Sequence, residues 1–269
     1  MTAATETADT FQTDIRAEET RREAATKLGP YRMQPIVALK ALGRLLKDKE
    51  DTAAVFEIMR ALSGGSAFRG YQRLLSTPEG GRIAYEREEF ADRLSDTAWL
   101  ESFGPGTVGE AYRNFIAPRG LSAEGLANES RKARGSQVDA AHPYAWYGRR
   151  MRDVHDVWHV LTGYGTDALG EACVVAFSYN QTKSLGFGLI ALAAGRQFGK
   201  LKNGLPYGKA IQEAFRHGKA ASWLPVVDYP ALFAENLEEA RKRLGIAPCT
   251  TYQSIPAASR DGVMMRMAA

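Results

Sequence analysis

His155 and His159 stand four residues apart, with Asp156 next to the first and Glu171 beyond the second across eleven intervening residues. These are the residue types and spacings in the chain that could do chemistry. A helix turns about 100° per residue, so the two imidazoles lie about 40° apart around its axis, with Asp156 about 60° from His159. The three polar side chains share one face, while Val157 and Trp158 point elsewhere and can pack. Gly163 and Gly165 then end the helix, Thr166 caps the next, and Glu171 falls in its first turns. An antiparallel pair so connected places Glu171 opposite His159. Two imidazoles and a carboxylate on facing helices form a metal-site arrangement for a divalent ion such as zinc, iron, cobalt or manganese.

A plainer reading competes. Histidines at this spacing occur by chance, and a glutamate near a helix start answers the macrodipole. Position favours the site. The chain has four histidines, and two are here. They are bracketed by Val154, Val157, Val160 and Leu161, and buried imidazoles need partners. Other metal chemistries fit less well. The zincin pattern needs Glu where Asp156 stands. Phosphohydrolases of the H-D type need distant ligands, and nothing around His142 or His217 marks them as such. The G-x-S-x-G nucleophile pattern is missing, as is G-x-G-x-x-G after a strand.

The elements that must position these residues are helices. Apolar spacing predicts helices over 33–46, 51–62 and 67–75, then one or two turns within 81–94. Asp51 is a candidate cap of the second, and Thr107 of a helix over 108–116. A long helix is expected over 144–162. Another begins after Thr166 and continues to Ala194. Helices at 208–222 and 230–244 follow, with Pro225 between them and Gly245 ending the last. Strand signals are confined to 226–227 and 249–252, so the fold class is all-α. Residues 1–28 read as a mobile arm, 29–250 as a single helical domain and 251–269 as a tail. Residues 122–140 are polar and read as a helix edge or loop.

Bulk properties exclude several classes. The 269 residues carry a net charge of +4, too mild to argue for nucleic acid. Cys173 and Cys249 make no disulfide framework and suit a reducing compartment. No apolar signal segment occurs in residues 1–30, and the acidic residues there suit a mitochondrial presequence poorly. The longest apolar run, at 185–194, is too short to span a bilayer.

The run HDVWHVLTGYGTDALGE resembles the H-D-x-x-H-x11-E signature of the ubiquinone (coenzyme Q) biosynthesis proteins, the fourth-numbered COQ family. Residues 78–86 (PEGGRIAYE), 104–115 (GPGTVGEAYRNF) and 223–246 are similar too, in the family's order, and the likeness covers about residues 40–246. It implies an all-helical fold and a homodimer peripheral to the membrane that holds quinone synthesis. That is the inner face of the cytoplasmic membrane, or the matrix side of the mitochondrial inner membrane. It implies a divalent metal at His155, Asp156, His159 and Glu171. It further implies oxidative decarboxylation of a polyprenylated aromatic acid, and organisation of the other quinone-biosynthesis enzymes.

The residues themselves are compatible with this. Asp156 is open to three roles: fourth ligand, acceptor for a histidine N–H, or proton acceptor. Arg152 lies near the histidine face and could meet a substrate carboxylate, whereas Arg149 and Arg150 read as solvated. The helix after Glu171 offers Phe187, Gly188 and Ala191 to a prenyl tail, with Gly186 and Gly188 leaving room for an apolar tunnel whose mouth is the metal. Lys183, Arg196, Lys200, Lys202, Lys209, Arg216 and Lys219, interleaved with Phe198, Leu201, Tyr207, Phe215 and Trp223, read as a membrane-surface face. The competing functions are a non-catalytic prenyl-lipid scaffold with a structural metal and, less favoured, a metallohydrolase.

Overall fold

The computed structural model describes residues 33–48, 51–117 and 142–261. The expected arm at 1–28 and the polar stretch at 122–140 lie outside them. The described residues are helical, and their sole β feature is an isolated bridge between Thr107 and Asn236. The helices are α1 (Pro35–Leu45), α2 (Thr52–Ala61), α3 (Ser66–Leu75), α4 (Pro78–Glu86), α5 (Phe90–Ser95), α6 (Thr97–Glu101), α7 (Val108–Ile116), α8 (Pro143–Asp153) and α9 (His155–Thr162). They continue with α10 (Ala168–Thr182), α11 (Leu185–Gly199), α12 (Tyr207–Ala220), α13 (Tyr229–Phe233), α14 (Leu237–Leu244), α15 (Thr250–Gln253) and α16 (Ala257–Arg260).

Local chemistry sets most boundaries. Asp51 accepts from the Ala54 N–H at 2.8 Å and Thr107 from the Glu110 N–H at 3.2 Å, so both expected caps are present. Gly163 (φ 76°) and Gly245 (φ 68°) end α9 and α14 in the left-handed conformation. The cap of α10 is Asp167 rather than Thr166, accepting from the Gly170 N–H at 2.9 Å.

Several expected elements differ, among them the helix over 230–244, which is divided into α13 and α14 where Asn236 caps the second. The helix over 144–162 bends at Val154 (ψ −2°), which divides α8 from α9. The helix expected to run to Ala194 stops at Lys183, whose φ is 54°. Thr182 draws the chain off the helical path there: its hydroxyl donates to the Ser178 carbonyl and accepts from the Ser184 N–H. The two strand signals became a 3-10 turn at Leu224–Val226 and helix α15. The expected tail is packed as far as Asp261, with Tyr252 and Ile255 buried in the core.

Helix α10 is buried on nearly every side and lies between α11 and α12. Two of its inward amides are paired, while the buried Ser178 hydroxyl has no hydrogen-bond partner among the described residues. Gln181 donates to the Gly218 carbonyl and accepts from the Leu224 N–H, both at 2.8 Å, and Asn180 donates to the Phe215 carbonyl. A second core gathers α5, α6, α7, α9, α13 and α14 around aromatic rings, with Trp99 stacked on Phe233 at 4.9 Å. Trp158 of α9 is sunk in it and donates to the Tyr229 hydroxyl at 2.7 Å. That anchor turns the His155–His159 face of α9 away from this core.

Helices α10 and α12 touch through backbone at Gly218, where a Cβ would stand 2.4 Å from the Phe177 carbonyl oxygen. Gly218→Ala is therefore expected to destabilise the fold by about 1–3 kcal/mol. Denaturant titration measures this, and an unchanged midpoint contradicts the contact.

Candidate metal centre

His155 and His159 project from α9 toward Glu171 in the first turn of α10. Their Nε2 atoms are 3.3 Å apart. His159 Nε2 lies 3.4 Å from Glu171 Oε1, and His155 Nε2 lies 3.7 Å from Oε2. Among the described residues these three offer donor atoms all within 4.8 Å of one another. Ligands about 2.1 Å from a tetrahedral ion are about 3.4 Å apart, so the triangle has the size such an ion needs. Two imidazoles and one carboxylate are also a donor set that leaves further positions open. The residues present fit a divalent metal.

His159 is the fixed member. It is 1% exposed, stacks on Phe115 with ring centres 5.4 Å apart, and its Nδ1–H donates to the Tyr164 carbonyl at 3.0 Å. That bond leaves Nε2 facing the site. The open side belongs to the others: the His155 side chain is 24% exposed and that of Glu171 45%. Burial opposes charge on both His159 and Glu171, yet their mutual attraction and hydrogen bonding outweigh it. The Glu171 carboxyl is held well below the usual carboxylate range, and the His159 imidazole is raised above its ordinary value.

Asp156 does not join the donor triangle. Its position around α9 sets it off to the side, from where its charge still favours protonated His159 and raises Tyr112. Arg152 is not free to greet a ligand, because its Nε is 2.6 Å from Asp153 Oδ1 in a nearly buried pair. The other two arginines are not solvated either. Arg149 pairs with Glu89, while Arg150 is buried, donates to the Pro225 and Val227 carbonyls and lies over the Tyr229 ring. Burial pushes the Asp153 carboxyl up despite Arg152, and its Oδ2 has no hydrogen-bond partner among the described residues.

The expected tunnel residues lie in packed surroundings. The break at Lys183 puts Phe187, Gly188 and Ala191 on α11, a different helix from Glu171. A Cβ at Gly186 would meet Met59 at 2.6 Å, and one at Gly188 would meet the Tyr179 ring at 3.1 Å. Helix packing, rather than an open tunnel, accounts for both glycines. Phe187 packs against the core around α10 and α12, and Ala191 is buried in it. The basic residues from Lys183 to Lys219 are all exposed, but two of their interleaved aromatics, Phe198 and Tyr207, are buried against each other.

Phe115, Tyr164 and Arg241 were not singled out by the sequence. Arg241 donates to the Leu161 and Val160 carbonyls at 2.8 and 2.9 Å, satisfying the free end of α9 from 80 residues away. No local pattern announces that contact, whereas an aromatic residue at Tyr164 inside a glycine turn is unusual enough to notice.

An all-helical scaffold with a two-histidine, one-carboxylate centre between consecutive helices defines the class: a helical protein with a candidate metal centre of open coordination. Residues 37–250 match the family described as coenzyme Q (ubiquinone) biosynthesis protein Coq4, and the chain belongs to that family. It is similar to the mitochondrial ubiquinone biosynthesis protein COQ4 homologs of Rattus norvegicus (28% identical, covering 64% of this chain and 62% of the relative) and Homo sapiens (29%, covering 63% and 61%). The homolog of Xenopus laevis is 26% identical over 88% of this chain and 83% of its own length. The chain thus spans about 62% of the rat and mouse relatives. The fold resembles a crystal structure of a ubiquinone-biosynthesis candidate from Nostoc punctiforme PCC 73102, with TM-score 0.58 and 20% identity, covering 80% of this chain and 99% of that one.

The raised His159 fixes a pH dependence. Without metal, this imidazole keeps its proton above the ordinary value of 6.5. An incoming ion must displace that proton, so affinity should be flat at higher pH. It should fall about tenfold per pH unit per displaced proton once pH drops below the raised value. Glu171 stays ionised throughout and adds nothing there. Titration of the protein with Co(II) across the neutral range checks this. A decline that begins only below 6.5 contradicts the His159–Glu171 coupling.

Proposed function

We propose that the chain is a metal-dependent enzyme of ubiquinone biosynthesis that acts on a polyprenylated aromatic acid in an oxidative decarboxylation. The observation that carries this reading is the donor triangle of His155, His159 and Glu171, open on one side, in a chain that belongs to the Coq4 family. A zinc, iron, cobalt or manganese ion held there would supply a Lewis-acidic centre for a phenolate-carboxylate or for oxygen.

The protein's own residues divide the remaining work. Phe115 covers one face of His159 and keeps water from it. The Tyr164 carbonyl holds the ring proton on Nδ1. The exposed side at Glu171 and His155 leaves room for an aromatic ring to arrive. Asp156, beside the triangle, is the proposed proton acceptor at its carboxylate. Arg152 is the proposed partner of the substrate carboxylate, which must then compete with Asp153. Phe187, Gly188 and Ala191 are the proposed contacts for the prenyl tail, and a tail entering there has to displace the Tyr179 ring from Gly188.

The proposed setting is a membrane surface, on the inner face of the cytoplasmic membrane or the matrix side of the mitochondrial one. Other quinone-synthesis enzymes and a second copy of the chain are the proposed partners. No helix among the described residues is long and apolar enough to cross a membrane. Support for a peripheral contact comes from exposed Ile36 (70%), Leu39 (60%) and Leu192 (73%), on two helices that share one core cluster, together with the exposed basic residues of α11 and α12.

Glu171→Ala separates this enzyme from a lipid-binding scaffold with a structural metal. The variant is expected to fold, to sediment with anionic vesicles at low salt and leave them at high salt, and to lose turnover of a prenylated aromatic acid by at least about a hundredfold. Turnover that survives in Glu171→Ala or in metal-free protein overturns the enzyme reading.

A further inference from the structure

The family match ends at residue 250, yet the chain just beyond it reaches the support of the metal centre. Tyr252 sends its hydroxyl into the loop between α9 and α10. That hydroxyl accepts from the Gly165 N–H at 3.0 Å and donates to Asp167 Oδ2 at 2.5 Å. Asp167 uses its other oxygen to cap α10 at Gly170, one residue before Glu171. The Tyr252 ring meets that of Tyr164 edge-on, with centres 5.4 Å apart. Further along, Asp261 Oδ1 accepts from the Ala168 N–H at 3.0 Å, so the same segment also ties down the first turn of α10.

The decisive relation is covalent. The carbonyl of Tyr164 and the N–H of Gly165 are opposite ends of one planar peptide unit. One end accepts from His159 Nδ1, and the other donates to Tyr252. Rotation of that plane moves both. Space around it is tight: a Cβ at Gly165 would stand 2.7 Å from the Tyr252 hydroxyl, and one at Gly170 only 2.0 Å from the Gly165 carbonyl oxygen. We propose that Tyr252 is a positioning residue for the metal centre, its hydroxyl holding the Tyr164–Gly165 peptide plane at the angle that aims His159 Nε2 at Glu171.

This inference rests on the metal-site reading above, and its test separates the two. Full-length Tyr252→Phe keeps the ring and removes the two bonds. It is expected to fold, to bind Co(II) about ten- to a hundredfold more weakly, and to show an altered visible absorption for the bound ion. Tyr207→Phe is the comparison. The Tyr207 hydroxyl holds the same segment at the Ser259 carbonyl without touching the loop, so its loss is expected to leave Co(II) affinity and spectrum unchanged. Equal losses in both variants mean that the segment is merely structural, and overturn the proposal.

A metal-free measurement stands beside these. In 15N NMR of the apo protein the His159 Nδ1–H should exchange slowly in the wild type and faster in Tyr252→Phe. Wild-type protein that binds no Co(II) refutes the metal reading, while the exchange rate still judges the positioning role. Should Tyr252→Phe fail to fold, Gly165→Ala presses on the same hydroxyl from the loop side and is expected to weaken Co(II) binding likewise. Wild-type affinity, spectrum and exchange in the folded variant overturn the proposal.

Discussion

The hydrogen bond from His159 Nδ1 to the Tyr164 carbonyl, 3.0 Å long, lies inside the protein where no solvent can replace it. It decides which ring nitrogen faces the site, and it ties the end of α9 to the turn that starts α10. A buried imidazole without such a partner costs about 1–3 kcal/mol. The loop therefore cannot drift from the helix without a penalty comparable to that of a large core mutation. The donor triangle follows from this constraint, because Glu171 sits one turn into the helix that the loop delivers.

What makes the bond possible is apolar. Val157 and Trp158 are buried on other faces of α9, and a side chain such as Val157 contributes about 1.5–3 kcal/mol by its burial. The single hydrogen bond of Trp158 to Tyr229 adds about 1 kcal/mol. Rotation of α9 away from Glu171 would expose both side chains, so the core fixes the direction of the chemistry. Arg241 completes the arrangement by occupying the carbonyls at the end of α9, which holds Gly163 close to Cys249. Opposite charges at the centre then work against burial: Glu171 favours the protonated form of His159, and the two histidines favour the ionised form of Glu171.

Much of this was legible in the residues. Asp51, Thr107, Gly163 and Gly245 mark helix ends through local hydrogen bonding or backbone conformation, and local rules find them. Helical spacing and the double-glycine turn brought His155, His159 and Glu171 together on paper as they are in space. What stayed hidden depends on contacts between distant segments. Arg149 and Arg150 look solvated and Arg152 looks free to meet a carboxylate, but their partners lie at Glu89 just before α5, on the turn after α12 and next door at Asp153. Gly186 and Gly188 look like room for a tail until Met59 and Tyr179 are placed. Phe198 and Tyr207 alternate with lysines as a membrane face would, yet they are buried against each other in the core. Tyr252 carries only a weak strand signal in its own neighbourhood, since its hydroxyl's partner lies 87 residues away at Gly165.

The central claim is that two imidazoles from α9 and one carboxylate from α10 hold a single divalent ion. X-ray absorption at the edge of the bound metal tests it most directly. The account predicts an ion with two imidazole ligands in the wild-type protein, and one fewer in His159→Ala. A wild-type spectrum without imidazole scattering, or one that His159→Ala leaves unchanged, would contradict it.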